Sequence, residues 1–410
     1  MSEQQGKPWV RSTGHDVRTV TFPPSLRLAL SFCTQAVHGA LEIALADGRV
    51  FRFGDGAEPR ARIDVVDPRF ARRAVLSGDV GFAESYMEGM WTSPDLTSVL
   101  QFFGANFDHA KGVSHGQWFW RAVHTLRHAM NANTRKGSRK NILAHYDLGN
   151  DFYAHWLDPT MTYSSAIFTR PDEDLSLAQT RKYEAIAEKL TLAPDQHVLE
   201  IGSGWGGFAE HAARTRGARV TTVTISDAQY AFARDRIFKA GLNERVEVRL
   251  SDYRDVEGRF DAVASIEMFE AVGERYWPQY FTSVADALNS GAKAALQVIT
   301  IDEQLFEDYK RSADFIQRYI FPGGMLPSVE RLRKVAGEAG LTMQTPHMFG
   351  DSYARTLDLW QQRFNAAWDD IRTDGFDERF RRLWNFYLSY CSAGFRSGRI
   401  DVGQFAFTRT

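Results

Sequence analysis

Apolar and polar positions follow two different rhythms along this chain. In the N-terminal region they alternate: Leu41-Glu42-Ile43-Ala44-Leu45, the turn Ala46-Asp47-Gly48, then Arg49-Val50-Phe51-Arg52-Phe53. Alternation on both sides of an Asp-Gly turn predicts a β-hairpin. Residues 61–66 predict a further strand, and Asp67-Pro68 opens a helical pattern with Phe70, Ala71 and Val75 on one face. Together these elements predict a small α+β domain over residues 1–108. Farther on, a helix at 175–190 is followed by short apolar runs at 197–199, 219–224, 246–250, 260–265 and 292–300. Strands alternating with helices predict a doubly wound α/β domain over residues 147–410. The helical stretch 376–390 and the alternating tail 402–408 are expected to complete its sheet edge.

Charge changes the picture between these two regions. Residues 109–146 hold no Asp or Glu, yet carry Lys111, Arg121, Arg127, Arg135, Lys136, Arg139 and Lys140 beside Trp118-Phe119-Trp120. Cations next to interfacial aromatics suit an anionic phospholipid surface, at about 1 kcal/mol per well-placed charge. The same composition suits a solvated helix with a polar hinge, and single-stranded RNA is a weaker third reading. Over the whole chain, 49 basic against 51 acidic residues leave no global basic field, which argues against a nucleic-acid partner. Cys33 and Cys391, far apart, make neither a disulfide framework nor a cysteine metal site, so no metal is expected and a reducing cytosol is the natural compartment. The polar N-terminus lacks a secretion signal, and the apolar stretch 26–45 is interrupted by Arg27, His38 and Glu42. A soluble protein is the expectation.

Candidate chemistry centres on Glu200 to Phe208, EIGSGWGGF, between a strand and a helix. Gly202, Gly204 and Gly206 let the backbone turn sharply and let a ligand lie against peptide groups, while the helix start favours an anionic part of that ligand. The spacing of Gly202, Gly204 and Gly207 also satisfies a dinucleotide pattern, which alone is a weak signal. Glu200 argues otherwise, since its carboxylate would repel a pyrophosphate and attract an ammonium group such as that of S-adenosylmethionine (SAM). Thr224, with Ser226 and Gln229 behind it, ends the second strand where a ribose would lie. Asp252 and Tyr253 end the third, an acceptor for an adenine amine beside a ring that could stack on it. Glu267 and Glu270 follow the fourth at a spacing that would place both on one helical face. Their alternative reading is a pair of carboxylates favoured by a helix N-terminus. The aromatic run 145–166 suits a lid, and the Pro-Gly loop 319–327 an apolar channel or a packed connection.

In order along the chain, HYDLGNDFYAHWLDPTMTYSSAIF, VLEIGSGWGG, VTISDAQ, MFEAVG, YIFPGGMLPS and FDERF through AGFRSG resemble the cyclopropane-fatty-acyl-phospholipid synthase family. The likeness extends from about residue 45 to the C-terminus, because GDVGFAESYMEGMW fits the family's N-terminal domain. It implies a Rossmann-like class I SAM-dependent methyltransferase fold and an enzyme that alkylates the double bond of an unsaturated acyl chain in a membrane phospholipid. It further implies a cytoplasmic protein peripherally associated with the inner face of the membrane, and it is compatible with a homodimer. SAM contacts carry over to Tyr163, Ser164, Glu200 through Gly207, Thr224 and Gln229, and by position to Asp252 and Tyr253. The family uses bound bicarbonate as base, held by positions that match Glu270, Tyr353, the Ile299 backbone, and a cysteine and a histidine that here are Ser165 and Gln297. Cys391 matches a further family cysteine, which allows it a functional role, and reads first as a buried helix thiol. This chain also has Glu267 where the family usually has glycine, and Ala271 where it usually has histidine. Those departures favour a methyl-branched alkene product over a closed ring, with Glu267 serving as base or tilting the bound anion.

Overall fold

The structure, a computed structural model, describes residues 9–18, 21–107, 148–311 and 314–410, so most of the domain junction and the basic stretch 109–146 lie outside the described residues. Contact clustering divides the chain into two compact units.

In the first unit, β1 (Ala40–Ala44) and β2 (Val50–Gly54) form the expected antiparallel hairpin, with Ala44 opposite Val50. Its alternation buries Leu41, Ile43, Phe51 and Phe53. On the other face Glu42 stands opposite Arg52 and the two pair at 2.7 Å. β3 (Arg60–Val65) runs parallel to β1, and β4 (Trp91–Thr92) closes a sheet of order β2-β1-β3-β4. The helix predicted after Asp67 begins at Phe70 and runs to Met87, broken at Gly78 (φ 59°, ψ −137°). Phe70 and Ala71 are buried before the break and Val80, Ala83 and Met87 after it, while Val75, expected on the buried face, is 44% exposed. The helix Glu378–Arg396 packs on the helices Phe70–Met87 and Leu96–Phe107. It therefore belongs to this unit, and the continuous span 147–410 expected for the α/β domain is interrupted at Gly375–Ser397.

The second unit holds an eight-stranded sheet. β5 (His197–Ile201), β6 (Arg219–Thr224), β7 (Val246–Leu250), β8 (Phe260–Ile266) and β9 (Leu288–Ile301) are mutually parallel. β10 (Leu341–Met343), β11 (His347–Met348) and β12 (Ile400–Arg409) follow, β12 running antiparallel to β9. The tail does not form the edge: β12 lies between β9 and β10 in the order β10-β12-β9-β8-β5-β6-β7. Apolar clusters fill both faces, one under the helices Leu175–Leu190 and Gly207–Arg216, the other under Trp277–Ala287 and Val329–Glu338. This is the Rossmann-like fold expected of the class. Strand order reverses at β5, where the chain steps outward to β6 and β7 and then returns to β8. Ligands of such sheets bind outside the strand C-termini at that reversal. Glu200 and Glu267 end those two neighbouring strands.

Candidate active site

The turn after β5 is built for close approach. Gly202 (φ 95°), Gly204 (φ 47°) and Gly206 (φ 83°) all lie where side chains are disfavoured. The amides of Gly202 and Ser203 donate to the Val223 carbonyl at 3.0 and 2.9 Å, fixing the turn on β6. A Cβ on Gly202 would meet Met268 at 3.1 Å, whereas one on Gly204 would meet nothing within 4 Å. Gly204 thus borders open space against a bare peptide. Glu200 is buried and its Oε2 has no hydrogen-bond partner. Burial pushes its carboxyl up to about 8, against the pull of Thr222 and Arg236. A buried, unpartnered carboxylate oxygen fits the ammonium group of SAM.

Of the other positions expected to hold the cofactor, Thr224 and Asp252 lie at or just beyond the ends of β6 and β7. Thr224 donates to Gln229 Oε1 at 2.9 Å, and Ser226 caps the following helix, so all three are held by one another. Asp252 differs from its expected role: Arg254 grips both of its oxygens, at 2.8 and 2.5 Å, so its carboxylate is already engaged. Tyr253, its hydroxyl pushed up to about 12 by burial, packs edge-on to Tyr280 at 5.3 Å. The run expected to be a lid is a packed wall where it is described, its first residues 145–147 lying outside the described set. Phe152, Tyr153 and Trp156 are buried, and Trp205 of the glycine turn donates to Asn150 at 2.8 Å. Tyr163 joins Tyr153, Trp156 and Trp360 in ring contacts of 5.3 to 5.5 Å. Ser164 follows it, its hydroxyl taken by Lys182 at 2.5 Å.

The two glutamates after β8 are not on a helical face. Glu267 has φ 48°, and only Phe269–Ala271 forms a short 3-10 turn, so the helix-terminus explanation falls away. A left-handed conformation costs a non-glycine residue about 1–2 kcal/mol. The backbone here keeps the conformation a glycine would take, and a carboxylate has been placed on it. That carboxylate is gripped from three sides: the Ser165 amide donates to Oε1 at 2.8 Å, Gln297 Nε2 to Oε1 at 2.8 Å, and the Tyr353 hydroxyl to Oε2 at 2.6 Å. Glu270 takes the Ile299 amide on Oε1 at 2.5 Å, while its Oε2 is buried without a partner. Burial first, and then Glu267, push its carboxyl up to about 8. In the 319–327 loop the Met325 amide donates to the Glu270 carbonyl at 2.8 Å, holding this turn in place.

Glu267, Glu270, Ser165, Gln297, Ile299 and Tyr353 are therefore brought together. Cys391 is half-buried on the helix Glu378–Arg396 of the first unit, so it is not among the residues the second unit itself assembles. Two residues were missed in the sequence. Lys182 is fully buried, and its place beside Ala178, Ile186 and Ala187 on the apolar helix face was the available signal. Gln404, opposite Gln297 across β12 and β9, donates to it at 3.1 Å. Among the described residues no cluster could hold a metal ion, and no helix is long and apolar enough to cross a membrane.

A glycine turn and acidic strand end at the sheet's reversal point, facing a second strand end with paired carboxylates, define a SAM-dependent methyltransferase. Residues 133–405 match the family of mycolic acid cyclopropane synthetases. The chain is 40% identical over 91% of its length to tuberculostearic acid methyltransferase of Mycobacterium tuberculosis, covering 89% of that protein. It is 37% identical over 87% of its length to the cyclopropane-fatty-acyl-phospholipid synthase of Escherichia coli, again covering 89%. Among solved structures it resembles a mycolic acid cyclopropane synthase complexed with SAH and CTAB (TM-score 0.63, 30% identity, 66% of this chain and 98% of that one). The chain belongs to the cyclopropane-fatty-acyl-phospholipid and mycolic acid synthase family, and is a SAM-dependent enzyme that modifies fatty acyl chains. Two readings of another class, an NAD-linked oxidoreductase on the dinucleotide-like spacing of Gly202, Gly204 and Gly207 and a non-catalytic lipid-binding protein, are set aside by that membership.

One substitution tests the cofactor pocket directly. Gly204→Val places a branched side chain in the open space beside the turn, so measurable SAM binding by calorimetry should be lost. The fold should survive, since the strain of φ 47° costs about 1–2 kcal/mol and a Cβ at this position meets nothing within 4 Å. A folded variant with wild-type SAM affinity would show that the ligand lies elsewhere.

Proposed function

We propose that the protein methylates the double bond of an unsaturated acyl chain in a membrane phospholipid and releases a methyl-branched unsaturated chain, with Glu267 standing in for bound bicarbonate. The observation that carries this reading is the convergence on Glu267. Of the groups that the family uses to hold its anion, the residue 165 position, the residue 297 position and Tyr353 all bond to the Glu267 carboxylate instead. A carboxylate of the protein fills the role of a carboxylate-like ion.

Bound SAM supplies an electrophilic methyl group. An alkene is a weak nucleophile, so the pocket must align the π bond with that methyl and keep water out. As the π electrons form the new C–C bond, the methyl–sulfur bond breaks toward sulfur and the neighbouring chain carbon becomes cationic. Aromatic faces can stabilise such a charge, and Tyr163, next to Ser164 in sequence, forms a ring cluster with Trp360 and Trp156. A proton then leaves a chain carbon to a carboxylate, restoring a double bond. Loss of that proton from the new methyl would close a ring instead. The naming of the 40% identical relative as a methyltransferase, against the 37% identical cyclopropane synthase, supports the unclosed product. Ring closure with bound bicarbonate keeps one observation in its favour, the unpartnered Oε2 of Glu270.

A phospholipid substrate requires peripheral contact with the membrane, and the basic residues 109–146 are our proposed contact on composition. Expression in a host without such enzymes, followed by mass and NMR analysis of membrane fatty acids, tests the product. Both outcomes add one CH2, so the deciding signals are vinylic protons against the upfield protons of a cyclopropane. A wild-type protein yielding almost only ring would overturn the assignment.

A further inference from the structure

Lys182 is a fully buried lysine on the inner face of the helix Leu175–Leu190. A structural role alone accounts poorly for it, because an enclosed ammonium costs more than an apolar side chain of its length unless it is compensated. Its compensation comes from the site. Its Nζ donates to Ser164 Oγ at 2.5 Å, and the acidic groups that influence it are Glu267, beyond β8, and Asp158, from the wall before Tyr163. A second link runs through the backbone: Gln404 Nε2 donates to the Lys182 carbonyl at 3.1 Å and to Gln297 Oε1 at 3.1 Å, and Gln297 donates in turn to Glu267.

We propose that Lys182 is a positioning residue for methyl transfer, setting the Ser164 hydroxyl at the cofactor pocket and supplying the positive charge that keeps Glu267 ionised. The inference rests on Glu267 being the working carboxylate. Burial draws the Lys182 ammonium down to about 7, with Glu267 and then Asp158 pulling it back up. Burial likewise raises Glu267, and the strongest opposing influence is Lys182, ahead of the Tyr353 hydroxyl, Gln297 and the Ser165 amide. Glu270 faces Glu267 as a second carboxylate, and Tyr183, next along the helix, is pushed well above its ordinary range by burial and stays neutral.

The sign of the effect follows. Glu267 loses its charge as pH falls through its pKa, so removing Lys182 raises that pKa and moves the acidic limb of the rate profile to higher pH. Lys182→Met and Lys182→Gln in the full-length protein are to be assayed with labelled SAM and vesicles of unsaturated phosphatidylglycerol and phosphatidylethanolamine. The expected result is an acidic limb of kcat shifted up by about one pH unit or more, with SAM affinity weakened several-fold. Added to Glu267→Gln, neither substitution should move the limb further. A folded Lys182 variant with the wild-type limb and SAM affinity would overturn the proposal. Should neither variant fold, Ser164→Ala reads the positioning half: weaker SAM binding is expected with the limb in place, and unchanged binding refutes it. Failure of the Glu267 reading shows separately, as a wild-type acidic limb persisting in Glu267→Gln alone.

Discussion

Glu270→Gln is expected to lower turnover by about 100-fold or more while SAM binds almost as tightly as before. Its Oε1 accepts the Ile299 amide, a bond that an amide oxygen can keep, so the turn and the fold should persist. Its Oε2 is buried without a partner, and that oxygen is what the substitution changes from an acceptor to a donor. Whether Glu270 holds an anion or takes the proton itself, the ionised form is the useful one. Burial and the neighbouring Glu267 push its carboxyl up to about 8, so the charged fraction grows as pH rises through that value. Wild-type turnover should therefore climb toward pH 8. This rise is separate from the acidic limb that Glu267 sets, and it should flatten in Glu270→Gln while that limb stays in place. Single-turnover transfer from labelled SAM, beside calorimetric SAM binding, separates chemistry from affinity. Turnover within a few-fold of wild type would remove Glu270 from the reaction.

Local pattern carried much of the fold. The 175–190, 219–224 and 246–250 elements end where periodicity and flanking turns place them, with Asp174 capping the start of the helix. Tertiary pairing was less legible. The apolar face of the helix Glu378–Arg396 reads the same whether it covers the α/β sheet or packs on Phe70–Met87, and nothing local distinguishes the two. The alternation of β12 gave a strand without its place inside the sheet. At the site, residue types and strand ends located the carboxylates, but the i, i+3 spacing pointed to a helix. The positive φ of Glu267 goes together with contacts made far away in sequence, with residues 165, 297 and 353. Local sequence and final conformation disagree there, as they do where strain serves a site.

Glu267→Gly combined with Ser165→Cys and Gln297→His is expected to turn the enzyme toward ring formation and to make its activity depend on added bicarbonate. Glycine suits φ 48° without strain, so the backbone should accept the change and recover about 1–2 kcal/mol to set against lost hydrogen bonds. Removing the side chain vacates the space between the Ser165 amide, Gln297 and the Tyr353 hydroxyl, and a bicarbonate ion has the planar oxygens to take up those donors. The introduced cysteine and histidine restore the residue types that the family resemblance places around its anion. Glu270 and the Ile299 amide are already in position. Free of the chain, the anion can approach the proton on the new methyl, which a carboxylate tethered at Glu267 reaches less directly. Two measurements decide the outcome: the ratio of cyclopropane to methyl-branched alkene in the lipid extract, and turnover in buffer stripped of carbon dioxide against buffer with added bicarbonate. Wild type should be indifferent to bicarbonate and the triple variant should require it. A wild-type enzyme that stops when bicarbonate is removed would show that the ion is bound despite Glu267, with the Ser165 backbone amide and the Gln297 side chain as its donors.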